Sequence, residues 1–360
     1  KLNNVTETGL GLTIPFYRVD VQREVDVIEE LLRVYGYNNI NFKEKLNASI
    51  ATTTRFEDYK IQSIIGDFLA SKGFFEIMTN SLSTPTYNEL IDTIKEDQTV
   101  KIINPLSNDL SIMRKSLLFS GLEAIAYNIN RKRQNLKFFE FGKSYHVFNE
   151  KQVENKHLAL FLTGNKNDDN WTTPAQKTSF FTLKSSVESI LERLGINNTS
   201  STLSKNDEFA EGLTLKSQKL DLVDFGVIKK SILKKFDIKS EVLYADFKWD
   251  AILKFAETNE LKYKEISKFP EVKRDFALLL NNEVNFKDIY DIAFETEKSL
   301  LKEVSLFDVY TGSKLPKGKK SYAVSFTLKS ENSTLTDKQI EKIMNKFQEK
   351  FETKLGAELR

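Results

Sequence analysis

Apolar residues along this chain recur with two different periods, and the switches between them mark its elements. In RVDVQREVDVIEELLRVYGY, residues 18–37, Ile28, Leu31, Leu32 and Tyr35 share one side of a helix advancing about 100° per residue, while Asp26, Glu29 and Glu30 fill a narrow opposite sector. The spacing predicts an amphipathic helix, with Asp20 just ahead of it, where a short carboxylate can cap exposed backbone N–H groups. A second helix follows in TTTRFEDYKIQSIIGDFLASKGFFEI. There Tyr59, Ile61, Ile64, Ile65, Phe68 and Leu69 keep helical intervals, Thr52 to Thr54 are capping candidates, and Gly73 closes the element. Strand-like stretches lie at 74–82, 99–103, 136–148, 157–163 and 219–228, with helices near 115–130 and 180–194. Long strands interrupted by helices, without regular βα alternation, predict an α+β domain with a largely antiparallel sheet across about 50–255.

The last hundred residues have the clearest pattern. RDFALLL alternates as a strand, FKDIYDIAFETEKSL is helical, LKEVSLFDVY and SYAVSFTL are strands, and TDKQIEKIMNKFQEKFETKL is a long helix before GAELR. Strand, helix, strand, strand, helix, strand is the ferredoxin-like βαββαβ order. Ile340, Ile343, Met344, Phe347 and Phe351 form the core stripe of the long helix. Such a helix pair covers one sheet face and leaves the other to a partner. Residues 1–45 carry only a short apolar lead-in and the acidic helix, too little to bury a core of their own.

Composition narrows the function classes. The 360 residues exceed one ordinary core, and 40% hydrophobic with 29% charged residues describes a soluble globular protein. A formal net charge of +2, from 53 basic and 51 acidic residues, argues against a polybasic nucleic-acid coat, so any such contact is local. The absence of Cys excludes disulfides, thiolate metal sites and cysteine nucleophiles, and suits a reducing cytoplasm. With only His146 and His157, imidazole metal clusters are improbable and both rings read as structural. No run of about 18 apolar residues and no signal pattern occurs, which predicts neither secretion nor a membrane span. The chain opens KLNNVTE without Met and reads as a fragment.

Two stretches carry candidate chemistry. Asp20, Asp26, Glu29 and Glu30 could converge on a hard divalent cation such as Mg²⁺, which takes one or two carboxylates and fills its octahedron with water. The competing reading is a solvated face in which the acids favour the helix dipole and Glu30 pairs with Arg33. Spacing leaves both open. GSKLPKGKKS, residues 312–321, fails as a phosphate loop because a strand rather than a helix follows it. It is a lysine-rich hairpin, with Lys314, Lys317, Lys319 and Lys320 placed either for an RNA backbone or as a solvated turn. No GxSxG, HExxH or GxGxxG arrangement is present.

PFYRVDVQREVDVIEELLRVYGYNNI, INPLSNDLSIMRKSLLFSGLEAIAYNINR, FFEFGKSYHVF and the tail KFPEVKRDFALLL…LFDVYTG…KKSYAVSFTL…TLTD…AELR together resemble the β subunit of bacterial phenylalanyl-tRNA synthetase. The resemblance covers nearly the whole chain in one order and is weakest from about 165 to 215. It implies an α+β protein in three parts: the end of a small B5 module at 1–45, a class II synthetase-like antiparallel sheet domain at 50–255, and a ferredoxin-fold anticodon-binding domain at 267–360. It also implies that Asp20, Asp26, Glu29 and Glu30 hold Mg²⁺ near the contact with a catalytic α subunit, that ATP is bound by that α subunit, and that the assembly is a cytoplasmic α2β2 heterotetramer acting on tRNA(Phe). The family's editing and N-terminal tRNA-binding modules are expected upstream of Lys1.

Class II synthetases hold ATP with an arginine from an Arg-x-Glu strand and another from a glycine-rich strand. Here Phe138, Phe139 and Glu140 occupy the first pattern, so Phe138 stands in the arginine's place, and no arginine lies between Arg193 and Arg274. The expectation is a chain with no catalytic residues of its own. Phe269, Pro270, Asp275, Phe307 to Tyr310, Gly312, Ser321, Leu335 to Asp337 and Leu359 also match the anticodon-binding pattern. Within it Arg274, Lys319, Lys320 and Arg360 are the expected tRNA contacts, while Tyr310 reads as a packed sheet aromatic. Two rivals stay in view: a stand-alone nucleic-acid-binding adaptor built from the same folds, and an independent metal-dependent ligase.

Overall fold

The computed structural model describes residues 2–41, 49, 57–92, 96–218, 220–258, 263, 265–312 and 315–359. It divides into two compact units, 1–260 and 261–360. The chain is α+β with antiparallel-rich sheets.

The first unit opens with a hairpin, β1 (Leu2–Thr6) and β2 (Gly9–Leu12), and helix α1 (Glu24–Tyr35). No residue of α1 is buried, and the apolar side expected to pack, Ile28, Leu31 and Tyr35, is exposed. Then come α2 (Asp58–Ser71), β3 (Phe75–Glu76), β4 (Leu82–Ser83), β5 (Ile112–Met113), α3 (Leu118–Ile129), β6 (Leu136–Phe148), β7 (Lys151–Thr163), β8 (Asn165–Asn167) and β9 (Gln176–Lys177). The unit ends with α4 (Phe180–Arg193), β10 (Ser200–Leu203), β11 (Phe209–Ser217), β12 (Leu220–Ile228), α5 (Lys230–Lys235), β13 (Val242–Lys248) and α6 (Trp249–Thr258). The capping candidates Thr52 to Thr54 lie outside the described residues.

Its main sheet has the order β10-β11-β12-β13-β7-β6-β3, antiparallel except for the short β3–β6 pair. Its longest pair is the β6–β7 hairpin, in register from Phe148 opposite Lys151 to Leu136 opposite Thr163. It turns through Asn149 and Glu150, both at positive φ (48° and 64°), which matches the right-handed twist of the flanking strands. Leu158, Leu160 and Leu162 pack beneath α2, α4 and α6 on one face, while Ala159 and Phe161 face the other, where α3 lies. On α2, Ile61, Ile65 and Leu69 repeat every four residues and are buried, whereas Tyr59 and Ile64 are exposed. Asp58 ties three elements together by accepting from the Trp249 indole (2.8 Å), Gln62 Nε2 (2.9 Å) and Lys156 Nζ (2.6 Å).

The sequence pattern differs from the structure in specific places. The expected strand at 74–82 is only Phe75–Glu76 and Leu82–Ser83, because between them Thr79 turns inward to Glu140. At 99–103 there is one bridge, from Lys101 to Ile112.

The second unit runs β14 (Val272–Asn281), α7 (Phe286–Thr296), β15 (Leu301–Tyr310), β16 (Lys319–Leu328), α8 (Asp337–Leu355) and β17 (Glu358–Leu359), in the ferredoxin-like order. Its sheet, β15-β16-β14-β17, is antiparallel throughout. The α8 residues Ile340, Ile343, Met344, Phe347 and Phe351 are all buried against Leu278, Leu280, Val324 and Phe326. A Thr336–Gln339 capping box starts α8, and Gly356, at φ +61°, ends it. Strand alternation turns Lys273, Asp275, Ala277, Ser321, Ala323, Ser325 and Thr327 to the sheet face away from the helices.

Candidate functional site

Three places hold the residues singled out in the sequence. At the first, Arg18 folds back under α1 and its Nη2 reaches Asp20 Oδ2 at 2.8 Å and Glu30 Oε1 at 2.7 Å, so two carboxylates face one cationic nitrogen. Arg33 takes the other Glu30 oxygen at 2.8 Å. Hydrogen bonds from Arg18 hold both Asp20 and Glu30 below the usual carboxylate range. Asp26 is directed elsewhere. Its Oδ2 accepts from the backbone N–H of Gln22 (2.9 Å) and Arg23 (2.7 Å), and those two bonds bring its pKa down to about 2. Glu29 is exposed, with no carboxylate-binding partner among the described residues. The structure thus brings together Asp20 and Glu30, and among the described residues no group of three or more acidic or imidazole side chains is arranged to hold a metal. Two carboxylates with water suit Mg²⁺, and this pair already surrounds a cation.

The second place is the α3-side face of the main sheet, which carries Phe138 and Glu140 of the strand that resembles the Arg-x-Glu pattern. Phe138 is buried in the apolar cluster beneath α3. Glu140, 1% exposed, pairs with Arg114, 5% exposed, at 2.8 Å. Arg114 also donates to Thr79 Oγ1 (2.7 Å) and to the Lys143 carbonyl (2.9 Å), and Thr79 Oγ1 donates back to Glu140 (2.8 Å). Both charges are therefore satisfied within the protein. Across the strands Glu140, Ala159, Asp246, Asp224 and Thr214 stand in one register row, with Thr214 donating to Asp224 (2.6 Å) and Lys248 paired to it (3.2 Å). Burial, reinforced by the Asp246 and Asp224 carboxylates, pushes the Glu208 carboxyl up to about 7.

His157 bridges Ser144 Oγ at Nε2 and Asp246 at Nδ1, both at 2.8 Å. Burial works against its charged form, but Asp246 outweighs burial and the pKa rises. The chain of serine, histidine and aspartate has the order of a nucleophile, its base and an orienting acid, yet Ser144 is 1% exposed and closed off from solvent. Beside this row the face is filled by rings: Phe161 lies 5.0 Å from Tyr244, which lies 6.2 Å from Phe209. Phe161 occupies the space where Gly121 lacks a side chain, and Phe209 the space above Gly212 and Gly226. None of these partnerships was foreseen from the sequence, since Arg114 and Glu140, or Ser144 and Asp246, meet only through the sheet.

The third place is the second unit. Arg274 is in register with Phe326, on the helix-facing side, with Asp337 3.8 Å away. Lys320, opposite Leu280, shares that side at the far end of β14. Its Nζ donates to the Asn282 carbonyl (2.8 Å) and lies 4.7 Å from the Tyr322 ring. Lys319 points to the other face and pairs with Glu358. Arg360 and Lys314 lie outside the described residues. Among the described residues, Arg274, Lys319 and Lys320 thus do not form one cluster.

The sequence agrees with known proteins over its length. The family profile described as phenylalanyl tRNA synthetase beta chain CLM domain matches residues 25–249. The chain belongs to the phenylalanyl-tRNA synthetase beta chain family. The profile of the tRNA synthetase B5 domain matches residues 1–37, and that of the ferredoxin-fold anticodon binding domain matches residues 267–360. A phenylalanine–tRNA ligase beta subunit of Bacteroides thetaiotaomicron is 46% identical over 100% of this chain and 46% of its own length. One from Porphyromonas gingivalis is 41% identical over 98% of this chain and 44% of its own. The chain spans about half the length of the curated relatives it matches. A solved pyrrolysyl-tRNA synthetase from Desulfitobacterium hafniense overlays with a TM-score of 0.44 at 14% identity, covering 69% of this chain and 83% of that one, too loosely to add to the family match. No helix among the described residues is long and apolar enough to cross a membrane.

Proposed function

We propose that this chain acts as part of the beta subunit of phenylalanine–tRNA ligase, in a cytoplasmic α2β2 enzyme that joins phenylalanine to tRNA(Phe) at the expense of ATP. In this reading the chain supports the catalytic alpha subunit, grips the anticodon region of the tRNA, and performs no chemical step. The family match supports the first part. The observation that carries the last is the interior of the main sheet face: Phe138 stands where a phosphate-binding arginine is needed, Glu140 is bound to Arg114, and Phe161, Tyr244 and Phe209 fill the adjoining space. Stabilising the charge that develops on ATP during adenylate formation takes cationic donors aimed at the phosphates. Of the five residues in the register row across this face, Glu140, Asp246 and Asp224 are acidic and none is a cation, while the neighbouring Arg114 and Lys248 are paired to Glu140 and Asp224.

Mg²⁺ belongs to the same reading. Asp20 and Glu30 are the carboxylates to hold it, with Asp26 and Glu29 on the same run, and when bound it supplies a fixed positive charge beside the partner subunit. For the second unit, the sheet face away from α7 and α8 offers Lys273, Asp275 and Ser325 to unstacked bases and Lys319 to phosphate, with Arg274 and Lys320 on the helix-facing side and Arg360, outside the described residues, kept as a tRNA contact by the family pattern alone. Mixing the chain with the alpha subunit tests the assignment. Co-elution and phenylalanine charging of tRNA that depend on both chains are expected, and a chain that never associates with the alpha subunit refutes it.

A further inference from the structure

A surface at the end of α3 has no part in the assignments above. After Ile129 the chain turns through Arg131, Lys132 and Arg133, with Lys132 at φ +65°. The following residues fix this turn against the β7–β8 corner: the Asn165 N–H donates to Asn135 Oδ1 (2.7 Å) and Asn135 Nδ2 donates to Asp168. The β8–β9 hairpin beside it carries Lys166 and Lys177, both exposed. None of these five cations has a carboxylate partner among the described residues, and the nearby Asp168 is engaged by Asn135. Arg131 is held in place, its guanidinium 3.4 Å from the Tyr127 ring centre and its Nη1 donating to the Tyr127 carbonyl at 3.0 Å.

An aromatic side chain stands in the same hairpin loop. Asn170 Oδ1 accepts from the Thr172 N–H (3.0 Å), the Thr172 hydroxyl (2.8 Å) and the Thr173 N–H (3.0 Å), closing a tight turn. That turn leaves the Trp171 indole 96% exposed, whereas the other tryptophan, Trp249, is fully buried. A loop that displays an indole on the hairpin carrying Lys166 and Lys177, and that Asn135 joins to the Arg131–Arg133 turn, matches two demands of a single RNA strand, phosphates to neutralise and base faces to stack. A duplex offers the phosphates but keeps its base faces covered. An acidic protein partner would use the cations and leave the ring idle.

We propose that this surface binds a single-stranded stretch of RNA, with phosphates on Arg131, Lys132, Arg133, Lys166 and Lys177 and a base stacked on Trp171. The proposal rests on the reading of the chain as a tRNA-ligase subunit, which makes RNA the partner, and it adds a second RNA contact apart from the anticodon-binding unit.

Intrinsic fluorescence provides the test, because Trp171 is exposed to quenching by a base and Trp249 is not. Titrating the 360-residue chain with a short oligoadenylate is expected to quench the exposed-tryptophan emission saturably, and an RNA duplex of the same length is not. Stacking of one base contributes about 1–3 kcal/mol, so Trp171→Ala, followed by anisotropy of labelled RNA, weakens binding about 5- to 150-fold. Each phosphate contact adds about 0.7 to the salt slope for single strands, so Arg131→Gln/Lys132→Gln/Arg133→Gln lowers that slope by about two. Unchanged thermal midpoints show that the variants remain folded. No quenching, or variants that bind with wild-type affinity and slope, overturn the proposal. If the chain still co-elutes with the alpha subunit in that case, the ligase reading stands and only this surface is refuted. Failure of both refutes the reading as well.

Discussion

Replacing Arg114 with methionine removes one partner of a buried ion pair and leaves the other. In the folded protein Glu140 is 1% exposed and Arg114 5%, and the guanidinium supplies hydrogen bonds to Glu140, Thr79 and the Lys143 carbonyl. Methionine approximates the aliphatic stem, so the loss is mostly polar. It leaves a buried carboxylate with only Thr79 as donor and a carbonyl short of one bond. Stranding a buried charge in this way costs about 3–5 kcal/mol, a large share of the 5–15 kcal/mol that typically stabilises a domain. Urea unfolding followed by the buried Trp249, in a Trp171→Phe background, reads the first unit directly. Adding Glu140→Gln removes the stranded charge, so the double variant should recover about 2 kcal/mol or more of the loss. A single-variant effect below about 1 kcal/mol, or a double variant no more stable than Arg114→Met, would refute the claim that this pair is a closed structural unit.

Three other perturbations have definite signs. Gly121→Ala should destabilise the first unit by about 1–3 kcal/mol although alanine favours helices, because its Cβ overlaps the buried Phe161 ring; a chemical melt showing equal or greater stability contradicts the packing described. Glu208 has a folded pKa of about 7 against an ordinary 4.5, so its contribution is full below pH 4.5 and lost as pH rises through 7, a change of about 3 kcal/mol at most. His157, also raised, loses its contribution in the same direction above its ordinary 6.5. Stability should therefore fall from pH 5 to pH 8, and Glu208→Gln should flatten that fall; parallel pH profiles for the two proteins count against it. Mg²⁺ should raise the unfolding midpoint of the complex with the alpha subunit, and Asp20→Asn with Glu30→Gln should remove the rise; a wild-type complex indifferent to Mg²⁺ leaves those carboxylates to Arg18 alone.

Elements whose two faces differ in polarity were legible in the sequence. The α8 stripe could be read residue by residue because its outer face is charged, and β6 because its apolar run has clear ends. Strands β10, β11 and β13 and helix α6 escaped for physical reasons. VLYADFK in β13 is buried on both faces and puts Asp246 into the polar row, so it lacks a clean period of two. In β11 a bulge after Phe209, and Gly212 beneath the Phe209 ring, break the alternation. The carboxylate run before and within α1 was visible as a run. Its division into a pair around Arg18, a helix cap at Asp26 and a solvated Glu29 depended on side-chain directions that helical spacing does not carry. Arg114 and Glu140 are twenty-six residues apart, and only the folding of β6 beside the Thr79 segment brings them together.

In the proposed reading the main sheet keeps the frame of an adenylate-forming ligase, with the protein's own side chains filling the space a nucleotide would need. Phenylalanine-dependent exchange of labelled pyrophosphate into ATP tests this most directly, measured with the chain alone, the alpha subunit alone, and the two together. No exchange by this chain alone, and exchange by the two chains together, is the predicted outcome. Phenylalanine-dependent exchange by the isolated chain would contradict it.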